Sequence, residues 1–556
     1  MRIAGDLLGK HRRFQSRDVD VAHEFADVLT LPRQCAAMGQ SPRLGNGVPQ
    51  FIRQWQLVQV LGSHAHQLFA EFLCRMCRAL ARALAWRPII REVFEAGFLI
   101  LHGIQLWAMS HAVDASRIPE LADIVAFALA EARAAGATQA EADASLRQGL
   151  GVTVRLGEVE TIEYQRDRGL GITVYFDGAK GSASSADLKQ QSVRDMVQKA
   201  CTIARYTARD PFAGLADAAD MAREIPDLDL FHPWDLTPED AIEMARACEA
   251  AGRAVDPRLT NSEGASVSTH RGVRVYGNSH GFLGGLPTSS HSISCALLAE
   301  DGDDMQRDYW YSTARSSADL APLEQIGRRA GERAVARLGG RQITTRKCPM
   351  LLAPDMAREF LGHMIAAVRG SSQYRKSSFL LDAMGQQVLP GFVQMRERPH
   401  MLRGMASSPF DAEGVATRDR DLVRDGVLQG YVLGSYAARK LGLHTTGNAG
   451  GIHNLIVDSS AGLLPLETLL SRMDTGFYVT EMMGQGVNGV TGDYSRGASG
   501  FWVEGGAIAY PVHEVTVAGN LKTLYQGVRA VGSDIDRLGA IHTGSLLLDE
   551  ITVAGG

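Results

Sequence analysis

An α+β fold with more than one core is what the sequence predicts, and three observations predict it. Apolar residues recur at helical spacing in several separate stretches, alternating strand-like segments fill the intervals, and glycines punctuate the C-terminal half at turn positions. At 556 residues, with 45% hydrophobic and 21% charged side chains, the chain is long enough for at least two cores. The expectation is an N-terminal domain of antiparallel meander plus helices over residues 109–210. A linker and central strand/helix region follows at 211–340, and a C-terminal domain of curved antiparallel sheet occupies 341–556.

Residues 1–108 differ in composition, being rich in His, Arg and aromatics. Cys74-x-x-Cys77 lacks the second pair that a zinc knuckle needs, so it reads as two incidental thiols. The apolar run at 96–108 is too short, and too interrupted by His102, Gly103 and Gln105, for a membrane span; it is also too far from the start for a signal peptide.

From residue 117, Ile118, Leu121, Ile124, Val125, Ala128, Leu129 and Ala132 predict an amphipathic helix that stops near Gly136. Segments 151–156, 158–164 and 169–176, separated at Gly157 and ended by Asp177-Gly178, predict an antiparallel meander. Residues 187–206 return to helix. The Asp-, Pro- and Ala-rich stretch 211–238 reads as a linker. Thr237 then N-caps a helix running to about Ala254, with Pro238 at its first position. Over 259–298 short β segments are expected, with turns at Gly264, Gly277-Asn278 and Gly284-Gly285. These place His270, His280 and His291 on successive strands, as satisfied or solvent-facing imidazoles rather than metal ligands. Another helix is expected at 320–338.

The organising stretch is 350–370, where Pro354 suits a first helical turn, Gly370 a stop, and Met356, Phe360, Leu361, Met364 and Val368 form an apolar stripe. It reads as a metalloprotease helix with one ligand missing. An HExxH helix sets two His about 40° apart, and an HExxxH spacing sets them about 140° apart, so the latter shares an ion only if the helix is locally overwound or bulged. The first ligand position here is Arg358, which stays protonated and has no lone pair to offer. Glu359 and His363 remain at i, i+4. That pair reads as a helix-surface hydrogen bond, with no metal site, because no third ligand is evident. All seven cysteines lie at or before Cys348, so no thiolate follows to complete one.

Beyond this helix the chain is β-rich. Turns are expected at 411–414 and 425–426, a strand end with a short helix at 431–441, and a loop with two histidines at 444–453. That loop reads either as a cover over a substrate groove or as a structural turn with polar caps. A strand at 477–480 leads into Met482-Met-Gly-Gln-Gly486, and a hairpin closes at Gly505-Gly506. Gly484, Gln485 and Gly486 are candidate substrate-binding residues, because a strand edge flanked by glycines accepts an extended peptide through its backbone. The alternative is that the glycines serve only sheet curvature.

Several long stretches are Gly171-Ile-Thr-Val-Tyr175, Lys180-Gly-Ser-Ala-Ser-Ser-Ala-Asp-Leu188, Tyr374-Arg-Lys-Ser-Ser-Phe-Leu-Leu-Asp382, Ala449-Gly-Gly-Ile-His-Asn454, Met483-Gly-Gln-Gly486 and Gly492-Asp-Tyr-Ser-Arg-Gly-Ala-Ser-Gly-Phe-Trp502. Together with the degenerate helix they resemble the PmbA/TldE branch of the TldD/PmbA peptidases, over essentially all of residues 109–556. The resemblance implies a native start at or near Met109, with residues 1–108 a non-family extension, either poorly folded or a gene-model artefact or, if real, an added helical segment. It also implies a cytoplasmic, non-zinc subunit of a heteromeric metalloprotease, catalytic only as part of the complex. In that arrangement a TldD-like partner holds the zinc and the catalytic Glu. This chain carries no cofactor, encloses the chamber and aligns unfolded or extended peptides.

Two other functions compete. One is a stand-alone metal hydrolase using Glu359 and His363; the other is a regulatory protein of the DNA gyrase modulator type. A net charge of −5 supplies no basic footprint, so direct nucleic-acid contact is not expected. No membrane partner is expected either. The odd, scattered cysteines read as reduced thiols of a cytoplasmic protein.

Overall fold

The computed structural model describes residues 113–555. The readings of Cys74 and Cys77, of the apolar run 96–108 and of the extension 1–108 lie outside them. Helix α1 (Ile118–Ala134) buries Leu121, Val125, Ala128 and Ala132, the stripe that its spacing predicts. Strands β1 (Gln139–Arg155), β2 (Glu158–Phe176) and β3 (Ala179–Ser185) follow, then α2 (Gln190–Tyr206) and α3 (Pro238–Arg253). The Thr237 hydroxyl caps α3 by accepting from the Asp240 N–H at 3.1 Å. Strands β4 (Asn261–Asn278), β5 (Leu283–Asp301) and β6 (Asp304–Ala314), then α4 (Leu323–Ala336), complete this half.

The six strands form one antiparallel sheet in the order β3-β2-β1-β4-β5-β6. Because β1 pairs with β4 along most of its length, the sheet runs across residue 210 without a break. The short strands expected here are instead two long hairpins. Residues 158–164 and 169–176 are one strand, since 165–168 stay paired with β1 while their charged side chains face water. Gly264, Gly284 and Gly285 lie within strands, and the turn between β4 and β5 falls at 279–282. The β1–β2 turn is Leu156-Gly157, with φ of 52° and 80°. Both turn N–H groups donate to the buried Glu249 carboxylate of α3 at 2.8 Å.

All four helices lie on one face, where Leu150, Val152 and Val154 of β1 pack with α3 and α4, and Ala140, Ala142 and Ala144 with α1 and α2. The alternate positions form the other face. Its middle is paved with small polar residues, including Gly149, Thr153, Ser266, Ser290 and Ser294, and Thr153 and Ser266 hydroxyls meet at 2.9 Å.

The C-terminal half opens with β7 (Arg346–Leu352), α5 (Pro354–Ala367) and α6 (Gly370–Tyr374). Strands β8 (Val393–Glu397), β9 (Arg420–Arg424) and β10 (Val427–Leu428), helix α7 (Ser435–Leu441), strand β11 (Leu455–Ser459) and helix α8 (Leu466–Met473) come next. Then come β12 (Gly476–Met483), β13 (Asp493–Glu504), β14 (Ala507–Asn520), α9 (Leu521–Gln526), β15 (Val528–Val531), β16 (Ile541–His542) and β17 (Leu546–Ala554). They build a five-stranded sheet and a six-stranded one in which β14 also pairs with β17, so the strands curl back on themselves. This is the expected curved sheet, mostly antiparallel, with β7–β12 and β11–β16 parallel. Phe360, Leu361 and Met364 of α5 sit in its main core.

Candidate functional site

Helix α5 begins with Pro354 in its first turn and presents Ala357, Phe360, Leu361, Met364 and Ile365 to the core. That orientation leaves Arg358, Glu359 and His363 along its margin. Arg358 reaches out of the C-terminal half: its guanidinium donates to the Asp536 carboxylate at 2.6 Å and to the Tyr311 hydroxyl of β6 at 3.0 Å. Burial works against its charge, yet Tyr311 and Asp536 outweigh that and raise its pKa. Asp355, one turn earlier, is held above the usual carboxylate range by burial, partly offset by Arg333 and Arg358.

The expected Glu359–His363 hydrogen bond is not made. Glu359 instead accepts from Arg496 of β13 at 2.8 Å, and Arg496 also donates to the Met483 carbonyl at 3.0 Å. Arg496 is only 5% exposed, so it is the fixed member of the pair. The His363 Nε2 is buried without a hydrogen-bond partner, and its ring sits edge-on to Tyr494 with centroids 5.9 Å apart. Burial lowers the His363 pKa, Arg496 adds to that, and Glu359 opposes it. The imidazole is therefore neutral at pH 7.

Residues 484–486 form the exposed start of the β12–β13 connection, directly after Met483. Gly484 has φ of 80°, and the Gly486 carbonyl accepts from the Ser495 N–H at 2.7 Å. A Cβ at Gly486 would strike the Ser495 carbonyl, so this close approach requires glycine. Arg496 thus joins two candidates that are far apart in sequence, the helix margin and the glycine tip. Sequence reasoning quoted Tyr494 and Arg496 without giving either a role. Their i, i+2 spacing on a strand was the signal that both face α5.

The two-histidine loop is built as a polar-capped turn. Glu397, 1% exposed, accepts from the His453 N–H at 2.6 Å, Asn448 at 2.7 Å and Arg420 at 2.6 Å. Next to it lies a cavity of about 300 Å³ whose lining includes His453, Arg274, Tyr276 and Asp411. Burial raises the Asp411 pKa from 3.8 to about 7, although the Glu413, Val415 and Ala449 N–H groups all donate to its carboxylate.

As a metal site the helix does not fit. It offers one imidazole nitrogen, a carboxylate already held by an arginine, and a guanidinium where a ligand would stand. Among the described residues no group of three or more His, Cys, Asp or Glu converges on an ion-sized position. The four described cysteines, Cys201, Cys248, Cys295 and Cys348, are free and buried. No helix among the described residues is long and apolar enough to cross a membrane.

Comparison with known proteins gives the family. Residues 140–204, 231–338 and 345–555 match, in order, domain 1, the central domain and the C-terminal domain of the PmbA/TldA metallopeptidases. The chain is 48% identical over 444 residues to the metalloprotease PmbA of Escherichia coli O157:H7, covering 80% of this chain and 98% of that protein. A crystal structure from Bacteroides thetaiotaomicron, described as a candidate modulator of DNA gyrase, superposes with a TM-score of 0.73 at 28% identity, over 78% of this chain and 98% of that one. TldE from Thermococcus kodakarensis shares the fold, with a TM-score of 0.67 at 18% identity, over 78% and 99% of the two chains. On these grounds the chain belongs to the PmbA/TldD metallopeptidase family.

Proposed function

We propose that this chain is the non-zinc subunit of a two-component peptidase, in which a TldD-like partner holds the zinc and the catalytic carboxylate. In that complex this chain aligns unfolded or extended peptides. The observation that carries the reading is Arg358: the first ligand position of the degenerate motif bears a cation committed to Asp536 and Tyr311. Glu359 is likewise committed to Arg496, so the motif's carboxylate is already engaged rather than free to activate water. The exposed 484–486 tip, with β12 paired only to β13 beyond Val479, offers backbone to an extended peptide.

The test is hydrolysis of an unstructured peptide by this chain alone, by an HExxxH homologue alone, and by the two together, each with and without a chelator. Activity that rises on mixing and vanishes with chelator supports the proposal. Chelator-sensitive hydrolysis by this chain alone, lost in Glu359→Gln, would favour the stand-alone hydrolase, for which the unpartnered His363 Nε2 is the supporting observation. A peptidase role that needs no second chain would sink the two-component reading.

A further inference from the structure

The helix-free face of the six-stranded sheet carries a second cavity of about 300 Å³, lined by Arg147, His270, Arg315, Ser290, Gln165 and Asp167 among others. It lies apart from α5 in sequence and draws on β1, β2, β4 and β5. The strand register sets a glycine opposite each of two basic residues: Gly149 opposite His270, and Gly272 opposite Arg147. A Cβ at Gly149 would run into the His270 ring, and the Arg147 Cγ stands 3.5 Å from where a Cβ on Gly272 would be. The two basic side chains therefore lie across the strands over bare backbone, leaving the face above them open.

Neither the Arg147 nor the His270 side chain has an ion pair or hydrogen bond among the described residues. Arg315 at the cavity wall donates to the carbonyls of Ser289 at 3.0 Å and Met405 at 2.7 Å, with no carboxylate in ion-pair reach among the described residues. Each of its terminal nitrogens keeps a second N–H. Burial depresses its pKa, the mark of a cation lacking a counter-charge. Asp167 is the one carboxylate in the lining. Arg271 also lines the cavity but lies 3.5 Å from Asp235, so its charge is largely matched; Asp167 offsets one of the remaining two guanidinium charges, which leaves the cavity suited to a monoanion.

A second feature fixes the kind of molecule. Strand β3 pairs with β2 only from Leu170 onward, so among the described residues β2 from Glu158 to Gly169 has a free edge. Gln165 and Asp167, which line the cavity, belong to that segment. A free edge binds extended backbone by adding a strand. We propose that this cavity binds a carboxylate of a peptide whose backbone runs along the free edge of β2. The inference rests on the peptide-handling reading above and deepens it by naming what the peptide must carry. The carboxylate belongs either to the chain terminus or to an Asp or Glu side chain.

Fluorescence anisotropy with this chain alone at low ionic strength separates the cases. The probes are three labelled peptides of Gly, Ser and Ala: one with a free C-terminus, the same peptide amidated, and an amidated version with one internal Glu. At least one carboxylate-bearing peptide is expected to bind roughly tenfold more tightly than the neutral amide, the scale of a charge-assisted hydrogen bond. Preference for the free terminus or for the internal Glu tells which carboxylate is read. Arg147 is solvent-exposed, so Arg147→Gln should keep the melting temperature while erasing the difference. Equal binding of all three peptides, or a difference that survives Arg147→Gln, would overturn the inference and leave peptide handling standing. Binding of none would overturn both.

Discussion

Arg358 occupies the first ligand position of the degenerate motif, so Arg358→His writes an HExxxH pattern into the helix in one step. The expected outcome is no chelator-sensitive hydrolysis by this chain alone, because Glu359 stays with Arg496 and no third ligand converges. The same change strips Asp536, whose side chain is 12% exposed, of its ion-pair partner. Unfolding free energy should fall by roughly 1–3 kcal/mol, measured by urea denaturation. His363 offers a second check. Burial keeps it neutral, so its ring resonances should titrate below the range of a free imidazole, and Arg496→Gln should move that titration upward by removing a nearby cation. A third lies at Gly486, where an alanine must push its Cβ into the Ser495 carbonyl. Gly486→Ala should cost roughly 1–3 kcal/mol and change the amide signals of the 484–492 segment.

At the scale of elements, α5 and α3 were legible because each carries its own punctuation: Pro in the first turn, an apolar stripe, and for α3 a threonine cap that forms as expected. The strands were harder to read. Arg166, Asp167 and Arg168 interrupt the alternation of β2, and on sequence alone a charged run looks like a loop. In the fold those residues sit in an exposed strand whose partner β1 supplies the burial, which no local pattern encodes. The glycines of β4 and β5 misled in the opposite direction, since glycine reads as a turn unless the element that packs against it is known. The candidate site divides in the same way. Arg358, Glu359 and His363 could be found from one helix, whereas Arg496 becomes visible only once β13 is laid beside that helix.

At the scale of the whole molecule, charged residues tie the two halves together. Asp308 of β6, only 4% exposed, accepts from Arg333 at 3.0 Å, and Arg337 bridges Asp308 and Glu481 of β12. Three carboxyls, on half-buried Glu141 and Asp355 and on buried Asp411, have raised pKa values, each chiefly through desolvation. A raised folded-state pKa means the folded protein holds a proton that the unfolded chain has released. The stability contributed is complete at low pH and is lost as pH rises, for Asp411 between 3.8 and about 7. Asp411→Asn should flatten that part of the stability–pH curve measured by chemical denaturation. The β1–β2 hairpin has one last consequence. β4 holds it along the β1 side, β3 holds the open end of β2, and the grip of Glu249 on the two turn amides holds the tip, so mechanically β2 is a span braced along one side and pinned at both ends. Such a span flexes little, and a molecule that settles on it surrenders only its own freedom of motion. Cutting the distal support with Glu249→Ala should therefore show as faster amide exchange along 158–168 and, if a peptide is bound there, its quicker release.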